Sequence, residues 1–401
     1  MLKTHLHTLF FASMGHFIND GVDFIIPLIG AIFSSLKEVT PFEVTIMFLI
    51  YYGSGAVFSS CVGRLADKTR SPGSLIGVGT MLMSVSLLGY FVTLSYTTGI
   101  AFLVSMMFFS FLAGFGSGFF HPLVASVLRF SFDRSRRGRV LGINGAVGGI
   151  GRTLYPSLFF FLAIFLTTYG SLAFLGFAGA AASTIILVGL RSVSQSTKIM
   201  PTQSLHSTGK IRDALTTGIV GLTLVTLVSS IAAGGISSWI PIYISTQKGF
   251  GLSGALGLAL TVMAAGSIVG QPFFGWLQER FDPRLILGVS IAGIGLSILG
   301  YLIINGIFTL MMFALFGFFT YAAFPLLFSL SAVYVGEESS SLGNAIVWGL
   351  GLSGGNVIGP LIIGTFLIAG YGKLGLAFEF MAATLLISAV GTIFLPKPKA
   401  L

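Results

Sequence analysis

Apolar runs long enough to cross a bilayer follow one another along almost the whole chain. They lie at about residues 9–34, 43–63, 73–95, 99–128, 140–166, 171–190, 214–245, 253–277, 285–304, 307–334, 342–368 and 375–395. A spanning helix needs roughly 20 mostly apolar residues, and most of the intervals between these runs hold only a turn. With twelve such spans in 401 residues, no room is left for a separate soluble catalytic domain. Composition says the same: 54% hydrophobic and 8% charged residues, with a mean hydropathy of +0.97, cannot coat a water-soluble globule with polar side chains. The fold class expected is an all-α membrane protein of twelve transmembrane helices. The first run lacks a cleavage site after a short apolar core, so it is expected to be a retained helix.

The net charge of +9 is scattered through short connections and forms no basic stripe, which argues against a nucleic-acid partner. Topology accounts for it instead. With the N-terminus inside, 17 of the 21 Lys and Arg residues fall on the cytoplasmic side, only Lys37, Lys248 and Lys373 fall outside, and Arg152 lies within a span. That asymmetry is what the positive-inside rule demands, and a wrong span count would scramble it. The expected location is the plasma membrane, multi-pass, with both termini cytoplasmic. One cysteine, Cys61, excludes an intramolecular disulfide.

The polar stretch 191–213 divides the spans into an N-terminal six-helix bundle, residues 1–190, and a C-terminal one, 214–401, with 191–213 as a cytoplasmic linker. The two halves read as copies. Gly63-Arg64-Leu65-Ala66-Asp67-Lys68 recurs in degraded form as Gly275-Trp276-Leu277-Gln278-Glu279-Arg280, Ile26-Pro27 as Ile240-Pro241, His121-Pro122 as Phe324-Pro325, and Pro156 as Pro360. Their offsets run from 203 to 214 positions. A duplicated half is a common ground plan of secondary transporters.

The segment Gly63-x-Leu65-Ala66-Asp67-Lys68-x-Arg70 resembles the signature between helices 2 and 3 of the major facilitator superfamily, and the resemblance covers the whole chain. Within that superfamily, Gly15-His16-Phe17-Ile18-Asn19-Asp20 and Gly114-Phe115-Gly116-Ser117-Gly118-Phe119-Phe120-His121-Pro122 resemble the fosmidomycin-resistance branch of drug exporters. The resemblance implies a cytoplasmic latch loop of Gly63, Asp67, Lys68 and Arg70, and a central cavity lined by helices 1, 4, 7 and 10. The alternative for the latch is a basic loop that only sets topology. The arginine that many proton-coupled antiporters of the family carry in helix 4 falls near Ser110 here, and the glycine-proline signature of helix 5 is approximate, with Arg152 four residues before Pro156.

Ionisable groups inside a bilayer cost at least ~2.5–3.5 kcal/mol each and usually face a cavity with a partner. Counting about 1.5 Å per residue, Asp20, Asp23 and Arg152 share one depth, and His121 lies near the level of His16. His16 and Asp20, like Asn19 and Asp23, are four apart and so share a helix face. The expected polar cluster is His16, Asn19, Asp20, Asp23, His121 and Arg152. Proton coupling is assigned to Asp20, Asp23, Arg152 and His121, with Asp23–Arg152 as the first pairing and Asp20 with His121 as the alternative; a static structural pair is the competing reading. Repeat offsets put Gly234, Ser237 and Asn356 opposite Asp20, Asp23 and Arg152, so charge chemistry belongs to the N-terminal half. Candidate substrate contacts are His16, Asn19, Trp239, Tyr243, Gln271, Tyr321, Asn344, Trp348 and Asn356, although aromatics at helical spacing also serve as packing.

The function expected is secondary active, proton-coupled export of small amphipathic compounds by alternating access. The alternative is an uptake symporter or uniporter for an organic anion or other small metabolite, with Arg152 as the anion's partner. No phosphate-binding Gly-Lys-Ser/Thr loop points to ATP hydrolysis, and no nucleophile motif or His-Glu-x-x-His spacing points to an enzyme. The expected partners are a small-molecule substrate, protons and the lipid bilayer, with the chain a monomer and neither cofactor nor metal required.

Overall fold

The computed structural model describes every residue except 1, 38, 134–135, 197–213, 336–339 and 398–401; for a few helical residues, Arg64 and Asp67 among them, it describes the backbone alone. Among the described residues the chain is helical throughout and contains no strand. The helices are α1 Leu2–Leu36, α2 Pro41–Thr69, α3 Pro72–Tyr96 and α4 Gly99–Ser131. The helical stretch Arg137–Ser196 breaks at Thr167, where φ is 63° and ψ is 170°, and its arms 137–166 and 168–196 are α5 and α6. Then come α7 Thr217–Thr246, α8 Gly254–Leu277, α9 Pro283–Ile303, α10 Phe308–Val335, α11 Leu342–Phe366 and α12 Tyr371–Phe394. These twelve match the spans expected, and the break at Thr167 falls just after the expected end of the fifth at residue 166.

Local chemistry sets the ends. Thr40 accepts a bond from the Glu43 amide at 3.3 Å while the Glu43 carboxylate takes the Thr40 amide at 2.8 Å, a capping box that opens α2 ahead of Pro41. Thr216 caps α7 by accepting from the Ile219 amide at 3.2 Å. Within the spans, hydroxyls fold back on their own helix: Thr80 to Ile76 O, Ser84 to Thr80 O and Thr93 to Gly89 O along α3. A hydroxyl satisfied this way is tolerated in a medium that offers no water. Ser110, at the level where the superfamily often carries arginine, is fully buried, bonded to Met106 O and 2.9 Å from the Tyr90 hydroxyl. Large apolar side chains cover the outside, with Ile368 87% and Ile303 78% exposed, a surface that only lipid solvates cheaply.

Three regions depart from plain expected spans. The Gly63–Arg70 segment is not a loop for most of its length: α2 continues to Thr69, and only Arg70 (φ 52°, ψ 28°) and Ser71 turn the chain before Pro72 starts α3. α10 is interrupted by a turn at Tyr321–Ala322, and α11 contains a π-helical stretch, Val347–Ser353, where four glycines between residues 349 and 355 weaken the α-helix and the Gly354 amide reaches back to Gly349 O. The helix before the expected linker runs on to Ser196, and the rest of that segment lies outside the described residues.

The chain divides into two compact units, Met1–Thr202 with Phe250–Thr261, and Gln203–Gly249 with Val262–Leu401. One helix crossing recurs in both units. In the first, α5 lies so close to α1 that a Cβ on Gly151 would sit 3.0 Å from Phe17 Cα; in the second, α11 lies so close to α7 that a Cβ on Gly355 would sit 2.8 Å from Ile231 N. Gly355 and Ile231 stand 204 and 214 positions after Gly151 and Phe17, the offsets by which Pro360 follows Pro156 and Pro241 follows Pro27. Small residues at such crossings let helix backbones meet where no hydrophobic effect drives them together.

Candidate functional site

The polar side chains expected to converge do converge, inside the first unit. α1 presents Ser13, His16, Asn19, Asp20 and Asp23 on one side; α4 adds Ser117 and His121, four apart, and α5 adds Asn144 and Arg152, eight apart. Spacings of four and eight keep one helix face turned to the same neighbour. Gly148 makes the meeting possible, because a Cβ there would lie 2.6 Å from His16 Nε2 and 2.8 Å from Asp20 Oδ2.

Asp20 is the hub. Its side chain is 2% exposed; Oδ2 accepts the Arg152 guanidinium in an ion pair and lies 3.2 Å from His16 Nε2. Its Oδ1 accepts from the Asn19 amide at 3.1 Å and lies 3.6 Å from His121 Nε2. His16 is held from behind, with Nδ1 2.7 Å from Asn144 Oδ1, and Asn144 in turn donates to Ser13 Oγ at 3.4 Å. Asp23, half-buried, has a different environment: Tyr51 of α2 donates to its Oδ1, and Ser117 and Asn19 donate to its Oδ2 at 3.4 and 3.5 Å. The expected first pairing is thus corrected. Arg152 pairs with Asp20, and Asp23 is served by neutral donors.

Tyr51, Ser117, Asn144 and Ser13 were not among the residues expected at the site. Only the spacing of Ser117 from His121 hints at it in the sequence; Tyr51 and Asn144 are brought in by helix packing alone. One atom stands out. Asn19 is fully buried, yet its Oδ1 has no hydrogen-bond partner among the described residues, a situation that costs about 1–3 kcal/mol.

The second unit places the other candidates apart from any charge cluster. Gly234 and Asn356, the repeat counterparts of Asp20 and Arg152, are neighbours: a Cβ on Gly234 would lie 3.1 Å from Asn356 Cα. The meeting of helices is conserved between units while the ion pair belongs to one of them. Trp239 is buried and donates to Pro360 O at 3.3 Å, and Tyr243 packs face-on against Phe378 at 5.2 Å. Trp348 stacks on Phe328 at 4.8 Å, and Asn344 accepts from Ser331. Gln271 and Tyr321 are half-buried. In the latch segment Gly63, Lys68 and Arg70 lie at the end of α2, whereas the side chain of Asp67 is outside the described residues. In its degraded copy, Arg280 lies over the Trp276 ring at 4.6 Å. Beyond it Asp282 caps α9 and takes the Arg284 guanidinium at 2.6 Å, and that hydrogen-bonded arginine holds the Asp282 carboxyl below its ordinary range.

Among the described residues, helices long and apolar enough to cross a bilayer, with a buried charge cluster among those of the first unit, define a multi-pass membrane protein. A sequence profile of the Major Facilitator Superfamily matches residues 8–346 and again 222–401, and the chain belongs to that family. Its fold is similar to that of several solved transporters. A bacterial homolog of the human lysosomal transporter Spinster, in an inward-facing and unoccupied conformation, is 15% identical, with a TM-score of 0.70 over 98% of this chain and 95% of that one. The peptide transporter POT in complex with sulfate is 13% identical, with a TM-score of 0.73 over 96% and 93%. The inward-open xylose transporter XylE from E. coli is 12% identical, with a TM-score of 0.73 over 98% and 96%. No curated protein matches the chain significantly in sequence.

Proposed function

We propose that this protein is a proton-coupled secondary exporter of small amphipathic compounds that works by alternating access in the plasma membrane, with both termini cytoplasmic and two six-helix halves, residues 1–190 and 214–401, joined by the linker 191–213. The observation that carries the reading is the Asp20–Arg152 ion pair, with Asp20 buried and His16 and His121 against the same carboxylate. Charges retained at that depth are expensive and mark ion or proton pathways. A carboxylate whose arginine is drawn away takes up a proton more readily, so a substrate that releases Arg152 from Asp20 on binding links its own binding to proton uptake at Asp20. The Gly15–Asp20 and Gly114–Pro122 motifs, with their likeness to the fosmidomycin-resistance branch, favour drug-like cargo and export. Because Arg152 is engaged by Asp20, the reading of Arg152 as the partner of an organic anion in an uptake symporter or uniporter is the weaker one.

The test uses purified protein in liposomes with an imposed pH gradient. Wild type should move a fluorescent amphipathic cation against its gradient, and Asp20→Asn should lose gradient-driven transport while still exchanging labelled for unlabelled substrate. Gradient-driven transport by Asp20→Asn at the wild-type rate would refute coupling through this carboxylate, and uptake driven in the opposite sense would refute export.

A further inference from the structure

His16, Asp20 and His121 bring two imidazole nitrogens and a carboxylate oxygen within 4.8 Å of one another. We propose that these three side chains form a binding site for a single divalent first-row ion of borderline softness, such as Zn²⁺, Co²⁺ or Ni²⁺. Nothing in the linear sequence suggests it, since His121 comes from α4 and the only local spacing is the four residues between His16 and Asp20.

The geometry suits such an ion. Ligand atoms about 2.0–2.2 Å from a tetrahedral metal stand roughly 3.3–3.5 Å from each other. His16 Nε2 is 3.2 Å from Asp20 Oδ2 and His121 Nε2 is 3.6 Å from the other oxygen, Oδ1, so the carboxylate faces the ion with one oxygen toward each imidazole. The outer partners are also those of a metal site. Asn144 Oδ1 at 2.7 Å accepts the His16 Nδ1 proton, which leaves the Nε2 lone pair aimed at the carboxylate. A ligating histidine typically donates its other N–H to such an acceptor, and a ligating carboxylate is itself hydrogen-bonded, here by Arg152 on one oxygen. A neutral His16 with its proton on Nδ1 presents the Nε2 lone pair to Asp20 Oδ2, and a cation, either a proton or a metal ion, bridges the two.

A second, independent observation is the fully buried Asn19 Oδ1, which has no hydrogen-bond partner among the described residues. Its amide borders the same space, with Nδ2 3.1 Å from Asp20 Oδ1 and 3.4 Å from His121 Nε2. The atom of that amide facing the ligand atoms is Nδ2, so an incoming ion that turns the amide over brings Oδ1 to the site as a fourth donor or as the acceptor for a metal-bound water. Tyr51 is a neutral donor to Asp23 and brings no positive charge to the cluster. The His121 side chain is 54% exposed against 2% for Asp20, so the site is open on the histidine side. Two nitrogens and one carboxylate select against Mg²⁺ and Ca²⁺, which take sets of oxygens.

Co²⁺ is the probe, added to full-length protein purified without a polyhistidine tag. Equilibrium dialysis should give one tightly held Co²⁺ per chain, and the visible spectrum should carry the intense bands of a tetrahedral nitrogen–oxygen site. His121→Ala, half-exposed and therefore free to fold, should weaken binding at least 100-fold; Asn144→Ala, which only positions His16, should weaken it about 10–100-fold. His5→Ala with His7→Ala should leave binding unchanged. No stoichiometric Co²⁺, or affinity that follows His5 and His7 and not His121, overturns the site. Binding is read without transport, so a metal site can fail while the transport reading stands, and the reverse.

Discussion

Removing Arg152 tests the centre of the site most directly. Asp20 is 2% and Arg152 14% exposed, so Arg152→Ala strands a carboxylate where water does not reach it. Coulomb's law at an effective dielectric of 20 gives an attraction of about 5 kcal/mol for unit charges roughly 3 Å apart, and breaking measured buried pairs has cost about 3–5 kcal/mol. His16 lies 3.2 Å from the same oxygen as the guanidinium, so a protonated His16 would absorb part of the loss and place the expected value near 3 kcal/mol. The double change Arg152→Ala with Asp20→Asn removes both charges and should recover most of that stability. Arg152→Ala with Asp23→Asn should recover little, because Asp23 is held by neutral donors from Tyr51, Ser117 and Asn19. The assay is thermal unfolding of purified protein in detergent, followed by tryptophan fluorescence. Rescue by Asp23→Asn equal to rescue by Asp20→Asn, or no rescue by either, would refute the pairing drawn here and the coupling argument built on it.

Gly148→Ala should lower stability by about 1–3 kcal/mol through overpacking and should depress transport more than Gly151→Ala does in proportion, since its new methyl meets His16 and Asp20 where the nearest atoms to one on Gly151 are the Phe17 backbone; paired melting and transport measurements check this. For orientation, exposed Cys61 is first replaced by serine; cysteines at Lys37 or Lys373 should then react with an impermeant thiol reagent from outside, and ones at Arg139 or Arg280 should not, with reversed labelling the contrary result. Asp282→Ala should cost about 0.5–2 kcal/mol as a lost helix cap. Because the folded carboxyl of Asp282 is held below its unfolded value, its contribution is complete above about pH 4 and fades as pH falls through the lowered folded value, so the gap in melting temperature between wild type and Asp282→Ala should be wide at neutral pH and narrow in acid.

How much of this was legible beforehand follows from what each kind of information can carry. Spans, class and the break between α5 and α6 depend on local hydropathy, which each segment expresses by itself, and the structure returns the same twelve helices. The duplication is expected from proline and glycine landmarks that keep their spacing, and the matching contacts of Gly151 with Phe17 and Gly355 with Ile231 give those offsets a physical meaning. Membership of the polar cluster was legible as well, since depth along a helix follows from counting residues.

Azimuth does not follow from counting. Asp20 and Asp23 differ by about 4.5 Å in depth and by about 60° around α1, and depth alone cannot say which of them Arg152 meets. The rotation of α1 against α5 decides it: with Gly151 against the Phe17 backbone and Gly148 against the His16 and Asp20 side chains, Asp20 meets Arg152 and Asp23 is left to Tyr51 and Ser117. The same packing brings His121 to Asp20 from more than 100 residues away and seats Asn144 behind His16. The sequence by itself therefore determined which side chains are held at one level inside the bundle; only the tertiary structure decided which of them touch, because side-chain direction is a property of how helices are rotated against each other and not of where residues stand along them.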